Sequence, residues 1–216
     1  MISAIVPVKA LPGSKSRLRD RFADRVVEGL AAAMLQDVVA ALLRVSALER
    51  VVVVTPDATV ADVAQRAGAE TLVRDDPGLN AAIEAAAAEL CDDPQDGVLV
   101  VLGDVAGIEA SEITRLLAVL DGPGVALAPS SDGGSSAVLR IPYDAIPASF
   151  GPASAKRHRE LTESAGVPFR ELALPSLSID IDEPEDLEAL LASDAPAPNT
   201  RAAWRKLRQG EAECRP

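Results

Sequence analysis

Apolar residues along the chain fall into two patterns that alternate with each other: short unbroken runs, and longer stretches in which they recur every three or four positions. Ile2–Val8 is a β-prone run that opens into a Lys/Gly/Pro-rich loop, Lys9–Arg19. From Arg21 to Arg44, Val26, Val27, Leu30, Met34, Val38, Ala41 and Leu42 keep helical spacing. Arg50–Val54 is a continuous β-branched run stopped by Thr55-Pro56-Asp57. Ala58–Ala67 reads as a helix closed by Gly68, Glu70–Val73 as a short strand and Gly78–Leu90 as an Ala-rich helix. Gly97–Leu102 is a buried strand followed at once by Gly103-Asp104, and Ser111–Leu120 a helix with Ser111 as its N-cap.

The second half breaks this rhythm. Val125–Ala128 and Ser135–Arg140 are β-prone runs joined by Ser131-Asp132-Gly133-Gly134, a hairpin connection. Ala153–Ala165 predicts a helix, Phe169–Leu174 and Leu177–Ile181 two short strands, and Pro184–Ala192 a last helix with Pro184 in its first turn. Strands that alternate with helices imply parallel βαβ crossovers. The expectation is one α/β domain over residues 1–192: a mostly parallel sheet with an inserted hairpin and helices on both faces. Residues 193–216 read as a loosely attached tail.

Composition sharpens this picture. Of 216 residues, 48% are hydrophobic, yet the aromatics are three Phe, one Tyr and one Trp. The core is therefore aliphatic, as suits parallel strands buried on both faces. A net charge of −12 argues against nucleic acid or an anionic membrane as partner, while small phosphorylated ligands need only local cations or a metal. Cys91 and Cys214 lie far apart without a Cys/His cluster, which excludes a disulfide framework or zinc site and agrees with a reducing cytoplasm. Met1–Val8 is too short to span a membrane and lacks a basic leader.

Four segments could carry chemistry. Asp104 follows the apolar run Val98–Leu102, at the strand edge where open α/β sheets bind ligands; a turn or helix-capping role is equally open. Asp180 and Asp182, if in a strand, point to one side, a costly arrangement unless a cation neutralises them, and hard oxygen donors suit magnesium. The alternative is that Asp182 caps the helix at Pro184. In the first loop, Lys15 and Arg17 sit among small residues able to wrap phosphate, although Walker P-loop spacing is absent and a basic surface loop is the plainer account. Ser131–Ser136 and Phe150–Ser154 combine glycine with hydroxyls, the second opening a helix where Ser154 and nearby N–H groups could hold an anion. A hairpin turn and an N-cap explain them as well. His158, the single histidine, fits a packing or hydrogen-bonding role better than a catalytic base.

The order of these segments is more specific than any one of them. Lys9-x-Leu11-x-x-x-Lys15-Ser16-Arg17-Leu18, Leu79-Asn80-Ala81-Ala82, Gly103-Asp104, Gly133-Gly134-x-Ser136-Ala137, Phe150-Gly151-Pro152-x-Ser154-x-x-Arg157-His158 and Asp180-x-Asp182-x-Pro184-x-Asp186-Leu187 follow one another along the chain to about Leu191. Together they resemble the 2-phospho-L-lactate/phosphoenolpyruvate guanylyltransferases of coenzyme F420 biosynthesis. The resemblance implies a Rossmann-like, GT-A-like nucleotidyltransferase fold that couples GTP to a small phosphorylated carboxylic acid and releases pyrophosphate. It implies Mg²⁺ on Asp104, Asp180 and Asp182, the phosphoacid at Ser136, Gly151 and Ser154, and the nucleotide beside Lys15, Arg17 and Asn80. Lys15 and Asp104 would be the catalytic pair.

Two departures stand out: Val105-Ala106 replaces the usual Leu-Pro after Gly-Asp, and Ser136 replaces a Thr while keeping its hydroxyl. The Arg-rich, Lys-poor composition is similar to that of bacterial members and favours phosphoenolpyruvate over 2-phospho-L-lactate or 3-phospho-D-glycerate as acceptor. A molybdopterin cytidylyltransferase, or a nucleotide-binding protein without turnover, are the rival readings.

Overall fold

A computed structural model of the chain describes residues 1–11 and 15–213. Seven strands form one sheet in the order β3-β2-β1-β4-β6-β5-β7. They are β1 (Ile2–Pro7), β2 (Arg50–Thr55), β3 (Glu70–Val73), β4 (Gly97–Val101), β5 (Gly124–Pro129), β6 (Ser135–Ile141) and β7 (Phe169–Glu171). β1 pairs in parallel with β2 and β4, β2 with β3, and β5 with β7; β6 alone runs antiparallel, between β4 and β5. The β5–β6 hairpin is thus the predicted insertion, and its turn lies at the edge where β1, β2 and β4 end.

The helices are α1 (Ser16–Arg19), α2 (Asp24–Leu42), α3 (Ala58–Arg66), α4 (Leu79–Leu90), α5 (Ala110–Leu117), α6 (Ser154–Ala165), α7 (Pro184–Ala192) and α8 (Pro198–Glu213). Alternation along the strands sorts them onto two faces. Ala4, Val6, Val51, Val53, Leu99 and Val101 pack under α2, α3 and α5, with Val38, Val60 and Ile113 among the contacts. Ile5, Val52, Val54, Val98 and Val100 point the other way, towards Ile83 and Ala87 of α4 and Ala155 of α6. The central strands are fully buried, which is why their sequences read as unbroken apolar runs.

Four expectations need correction. Ser111 is not an N-cap: α5 starts at Ala110, with Glu109 at the cap position. The strand expected over Phe169–Leu174 stops at Glu171, and the one expected over Leu177–Ile181 is absent. Pro175–Leu177 form a 3₁₀ turn and Ile179–Asp182 run irregularly, because Pro175 supplies no N–H for a ladder. Finally, the stretch from Ser193 is not loosely attached. It carries α8, whose N-terminus is held by the buried Asp37 of α2: Asp37 Oδ1 accepts from the Asn199 main chain and amide at 2.9 and 2.8 Å, and Oδ2 from the Thr200 main chain and hydroxyl at 2.8 Å. Trp204 meets Phe22 edge-on at 5.5 Å. Arg201 donates to the carbonyls of Leu190, Leu191, Ser193 and Ala195 at 2.6–3.3 Å, closing the C-terminal end of α7.

Cys91 is a free thiol; Cys214 lies outside the described residues. Among the described residues, no helix is long and apolar enough to cross a membrane.

Candidate active site

Four connections meet at the edge of the sheet where β1 and β4 end. Main-chain hydrogen bonds tie them together: Leu102 N–H to Ser136 carbonyl at 3.0 Å, Ile181 N–H to Asp104 carbonyl at 3.2 Å, Ser131 N–H to Ser178 carbonyl at 2.8 Å, and Ala155 N–H to Gly133 carbonyl at 3.3 Å. The first loop is moored by Asp57, whose Oδ2 accepts from Leu11 N–H at 3.0 Å. Pro12-Gly13-Ser14, part of the expected phosphate-wrapping loop, lies outside the described residues.

Asp104 stands where the sequence puts it, just past β4. Gly103 before it leaves little room for a side chain: a Cβ there would lie 3.0 Å from Val8 Cγ2, which would have to give by a few tenths of an ångström. Val105 and Ala106, the departures from the expected Leu-Pro, are buried in the packing beneath. One oxygen of Asp104, Oδ2, accepts from the Lys15 ammonium; the other, Oδ1, is buried without a partner. Lys15 also donates to Asp182 Oδ1 at 2.6 Å. Burial pulls the Lys15 ammonium down, but the charges of Asp104 and Asp182 outweigh it and hold its pKa above the ordinary lysine value. Lys15 has φ 53°, a left-handed backbone that turns the chain into α1.

Asp180 and Asp182 are brought to Asp104 without a strand. Asp182 is fixed by the first turn of α7, where Asp186 Oδ2 accepts from the main-chain N–H groups of Asp182 and Glu183 at 3.0 and 2.8 Å. The cap of that helix is Glu183, paired reciprocally with Asp186, so the capping role considered for Asp182 falls to its neighbour. Asp180 is pushed up to about 6, by burial first and then by the negative charge of Asp104, with Asp132 and Asp182 adding to it. Among the described residues, no three acidic, His or Cys side chains are grouped tightly enough to hold a metal as they stand; the Lys15 ammonium fills the space between two of them. The donor set nevertheless fits a hard cation: Asp104 Oδ1 is a buried carboxylate oxygen without a partner, and burial together with the Asp104 charge raises the pKa of the Asp180 carboxyl.

Beside this charged region lies a neutral one. Ser136 is fully buried and its Oγ has no partner. Ser154 is at the start of α6, buried, with Oγ 3.1 Å from Ser135 Oγ. Ser135 Oγ is 3.0 Å from His158 Nδ1, and His158 Nε2 accepts from Ser149 N–H at 3.0 Å. The turn into α6 needs left-handed backbone at Gly151 (φ 121°) and Ala153 (φ 54°). Arg157 braces that turn, donating to Ser149 Oγ at 3.0 Å, Ser149 carbonyl at 2.9 Å and Pro152 carbonyl. Gly134 is equally constrained: a Cβ would stand 2.7 Å from Ser130 Oγ.

Two of the residues expected beside the nucleotide have other partners in the structure. Asn80 exchanges both ends of its amide with Phe150, accepting from the N–H at 2.7 Å and donating to the carbonyl at 3.2 Å, so it builds the Gly151 turn. Arg17 is exposed and pairs with Glu183 at 2.7 Å. A cavity that the sequence did not announce lies past the ends of β1, β2 and β3, walled by Pro7, Val8, Lys9, Thr55, Arg74, Asp75, Asp76 and Leu79. Its only sequence signal is the acidic pair Asp75-Asp76 directly after a strand.

The fold and this edge define a nucleotidyltransferase. A protein from Desulfovibrio desulfuricans assigned to the nucleotide-diphospho-sugar transferases superposes with a TM-score of 0.78 over 98% of this chain and 95% of its own, at 18% identity. The family profile described as "Guanylyl transferase CofC like" matches residues 2–208, and the chain belongs to that family. A phosphoenolpyruvate guanylyltransferase of Sphaerobacter thermophilus is 40% identical over 194 residues, covering 89% of this chain and 93% of the relative. A 3-phospho-D-glycerate guanylyltransferase of Colwellia psychrerythraea is 30% identical over 193 residues, covering 89% and 92%.

Proposed function

We infer that the protein transfers the guanylyl group of GTP to phosphoenolpyruvate, releasing pyrophosphate, as a step in coenzyme F420 biosynthesis. The observation that carries this is the pairing, on one sheet edge, of undercompensated carboxylates (Asp104, Asp180, Asp182) with the buried neutral hydroxyls of Ser136 and Ser154. A phosphate oxygen of the acceptor attacks the α-phosphorus of GTP, and the bond from that phosphorus to the β-phosphate bridge breaks. The attacking oxygen is already ionised near neutral pH, so no general base is needed, and His158 is not one: burial, with the charges of Arg140 and Arg157, pushes it down to about 4.

Mg²⁺ held by Asp104, Asp180 and Asp182 supplies positive charge against the two polyanions when bound. Lys15 and Arg17 add cations on the triphosphate side. Ser136, Ser154 and the Gly151 turn bind the acceptor, the turn being prepared by Asn80 and Arg157. The guanine lies at the open mouth of the recess past β1–β3. The Asp75 and Asp76 carboxylates supply acceptors for the ring N1–H and exocyclic amine, neither of which adenine presents in that position.

The 40% identical relative named for phosphoenolpyruvate supports that acid over 3-phospho-D-glycerate, named for a relative at 30%. The test is pyrophosphate release with GTP, Mg²⁺ and each acid in turn, then with each nucleotide at equal concentration. Phosphoenolpyruvate and GTP should give the fastest turnover. A preference for CTP would sink the assignment while leaving the fold and the carboxylate site intact.

A further inference from the structure

The neutral pocket contains a hydrogen-bonded series with a readable direction. Ser149 N–H can only donate, so His158 Nε2, 3.0 Å away, must be bare. The ring is neutral, and its one proton therefore sits on Nδ1, within reach of Ser135 Oγ at 3.0 Å and of the Ser154 main chain one helical turn earlier. With a donor already directed at it, the Ser135 oxygen accepts from the ring and can turn its own hydrogen to Ser154 Oγ, 3.1 Å away. A hydroxyl hydrogen rotates freely, so without ligand this pair can also run from Ser154 to Ser135. An anion facing Ser154 selects the first direction, in which Ser154 donates outward.

We propose that His158 is a positioning residue: its Nδ1–H bars Ser135 from donating to the ring and so leaves the Ser135 hydrogen free to turn to Ser154 when Ser154 donates to the anionic acceptor. The proposal rests on the reading of Ser154 as part of the acceptor pocket. It is more than packing, because both ring nitrogens are committed and to different ends. Nε2 holds the main chain that leads into the Gly151 turn, and Nδ1 addresses the hydroxyls at the start of α6. The ring also meets Phe150 edge-on at 5.0 Å, which fixes its plane.

Two amide variants separate the two ring nitrogens. His158→Asn places an N–H near the Nδ1 position and preserves a donor to Ser135. His158→Gln reaches the Nε2 position and preserves an acceptor for Ser149 but loses that donor. The expected result is a KM for phosphoenolpyruvate raised more than tenfold in His158→Gln and less than fivefold in His158→Asn, with the KM for GTP unchanged in both. Equal effects of the two variants, or a parallel rise in the KM for GTP, would reduce His158 to a structural residue.

A second measurement needs no variant. The chain has one histidine, so its two ring ¹⁵N signals are unambiguous. The folded protein should show a protonated Nδ1 and a bare Nε2 at neutral pH, and the reverse pattern overturns the proposal whatever the variants do. Ser154→Ala keeps the two levels apart. If it leaves the KM for phosphoenolpyruvate unchanged, the pocket reading fails and this inference with it. If it raises that KM while the histidine variants do not differ, only the inference fails.

Discussion

The two halves of the site are built on opposite principles. Around Asp104, Asp180, Asp182 and Lys15 the groups are charged, and their charges do not balance: one carboxylate oxygen is orphaned and a neighbouring carboxyl is driven up to about 6. Around Ser135, Ser154 and His158 the hydroxyls and the ring are uncharged and bonded to one another, with the Arg140 and Arg157 charges near the ring and Ser136 Oγ left without a partner. The first half is unfavourable as it stands and relaxes only when positive charge arrives. The second is preorganised and gains little from rearrangement. A polyanion entering between them meets strong, adjustable electrostatics on one side and fixed geometry on the other.

Removing a charge from the first half should break this contrast most visibly. Asp180→Asn and Asp182→Asn are each expected to lower turnover roughly 10²–10³-fold, the scale for losing one group that stabilises transition-state charge. Asp180→Asn should at the same time raise thermal stability, because it relieves repulsion with Asp104. Pyrophosphate release across a magnesium titration, with a melting curve for each variant, checks both. Normal turnover with unaltered magnesium dependence would end the metal role of that residue.

In the second half the loss should be smaller and confined to one substrate. Ser154→Ala removes one hydrogen bond to a charged group, worth roughly 1.5–3 kcal/mol, or about 10–100-fold in the KM for the phosphoacid. Steady-state kinetics with each substrate varied in turn should leave the KM for GTP in place. An equal effect on both would return Ser154 to a plain helix-start residue.

Lys15 tests how the charged half is kept folded without metal. Lys15→Met leaves Asp104 without its counter-charge and should cost about 1–3 kcal/mol by denaturant titration in chelator, a figure reduced by the exposure of Asp182. Magnesium should recover much of that loss; a variant as stable as the parent in chelator would mean the ion pairs contribute nothing.

The smallest effect is the dependence of stability on pH, and here the halves have opposite signs. His158 titrates near 4 in the fold against 6.5 ordinarily, so the unfolded chain binds the extra proton and stability is lost as pH falls from 6.5 towards 4. Asp180 titrates near 6 against 3.8, so the folded chain holds the extra proton and stability is lost as pH rises through that interval. Melting temperatures between pH 4 and 7 should show a shallow, partly cancelling profile. His158→Gln should remove the acid-side loss and Asp180→Asn the opposing slope.

Strand runs and helical spacing made the parallel core legible, because strands buried on both faces leave an unmistakable apolar signature. Asp104 was legible for the same reason, since it ends such a run. The β-prone run Leu177–Ile181 predicts a strand that ends beside Asp182. Pro175 and the turn after it, together with main-chain bonds to Asp104 and Ser131, set a different path. The roles of Asn80 and Arg157 were hidden because their partners are main-chain groups of residues 149–152, which leave no mark on sequence. The tail was misread for a similar cause. Ala-Pro-Ala-Pro looks like a linker, but the anchor for the helix beyond it is Asp37, on an element far earlier in the chain.

That anchoring imposes an order in time. The carbonyls ending α7, the helix whose opposite end holds Asp182, are closed by Arg201, and the helix bearing Arg201 is itself fastened to Asp37. The Arg201 bonds are local, but the Asp37 fastening joins residues that leave the ribosome at widely separated moments, so the support behind α7 is completed late. The helix that carries Asp182 at one end is thus steadied at the other by a segment that docks on an element made much earlier.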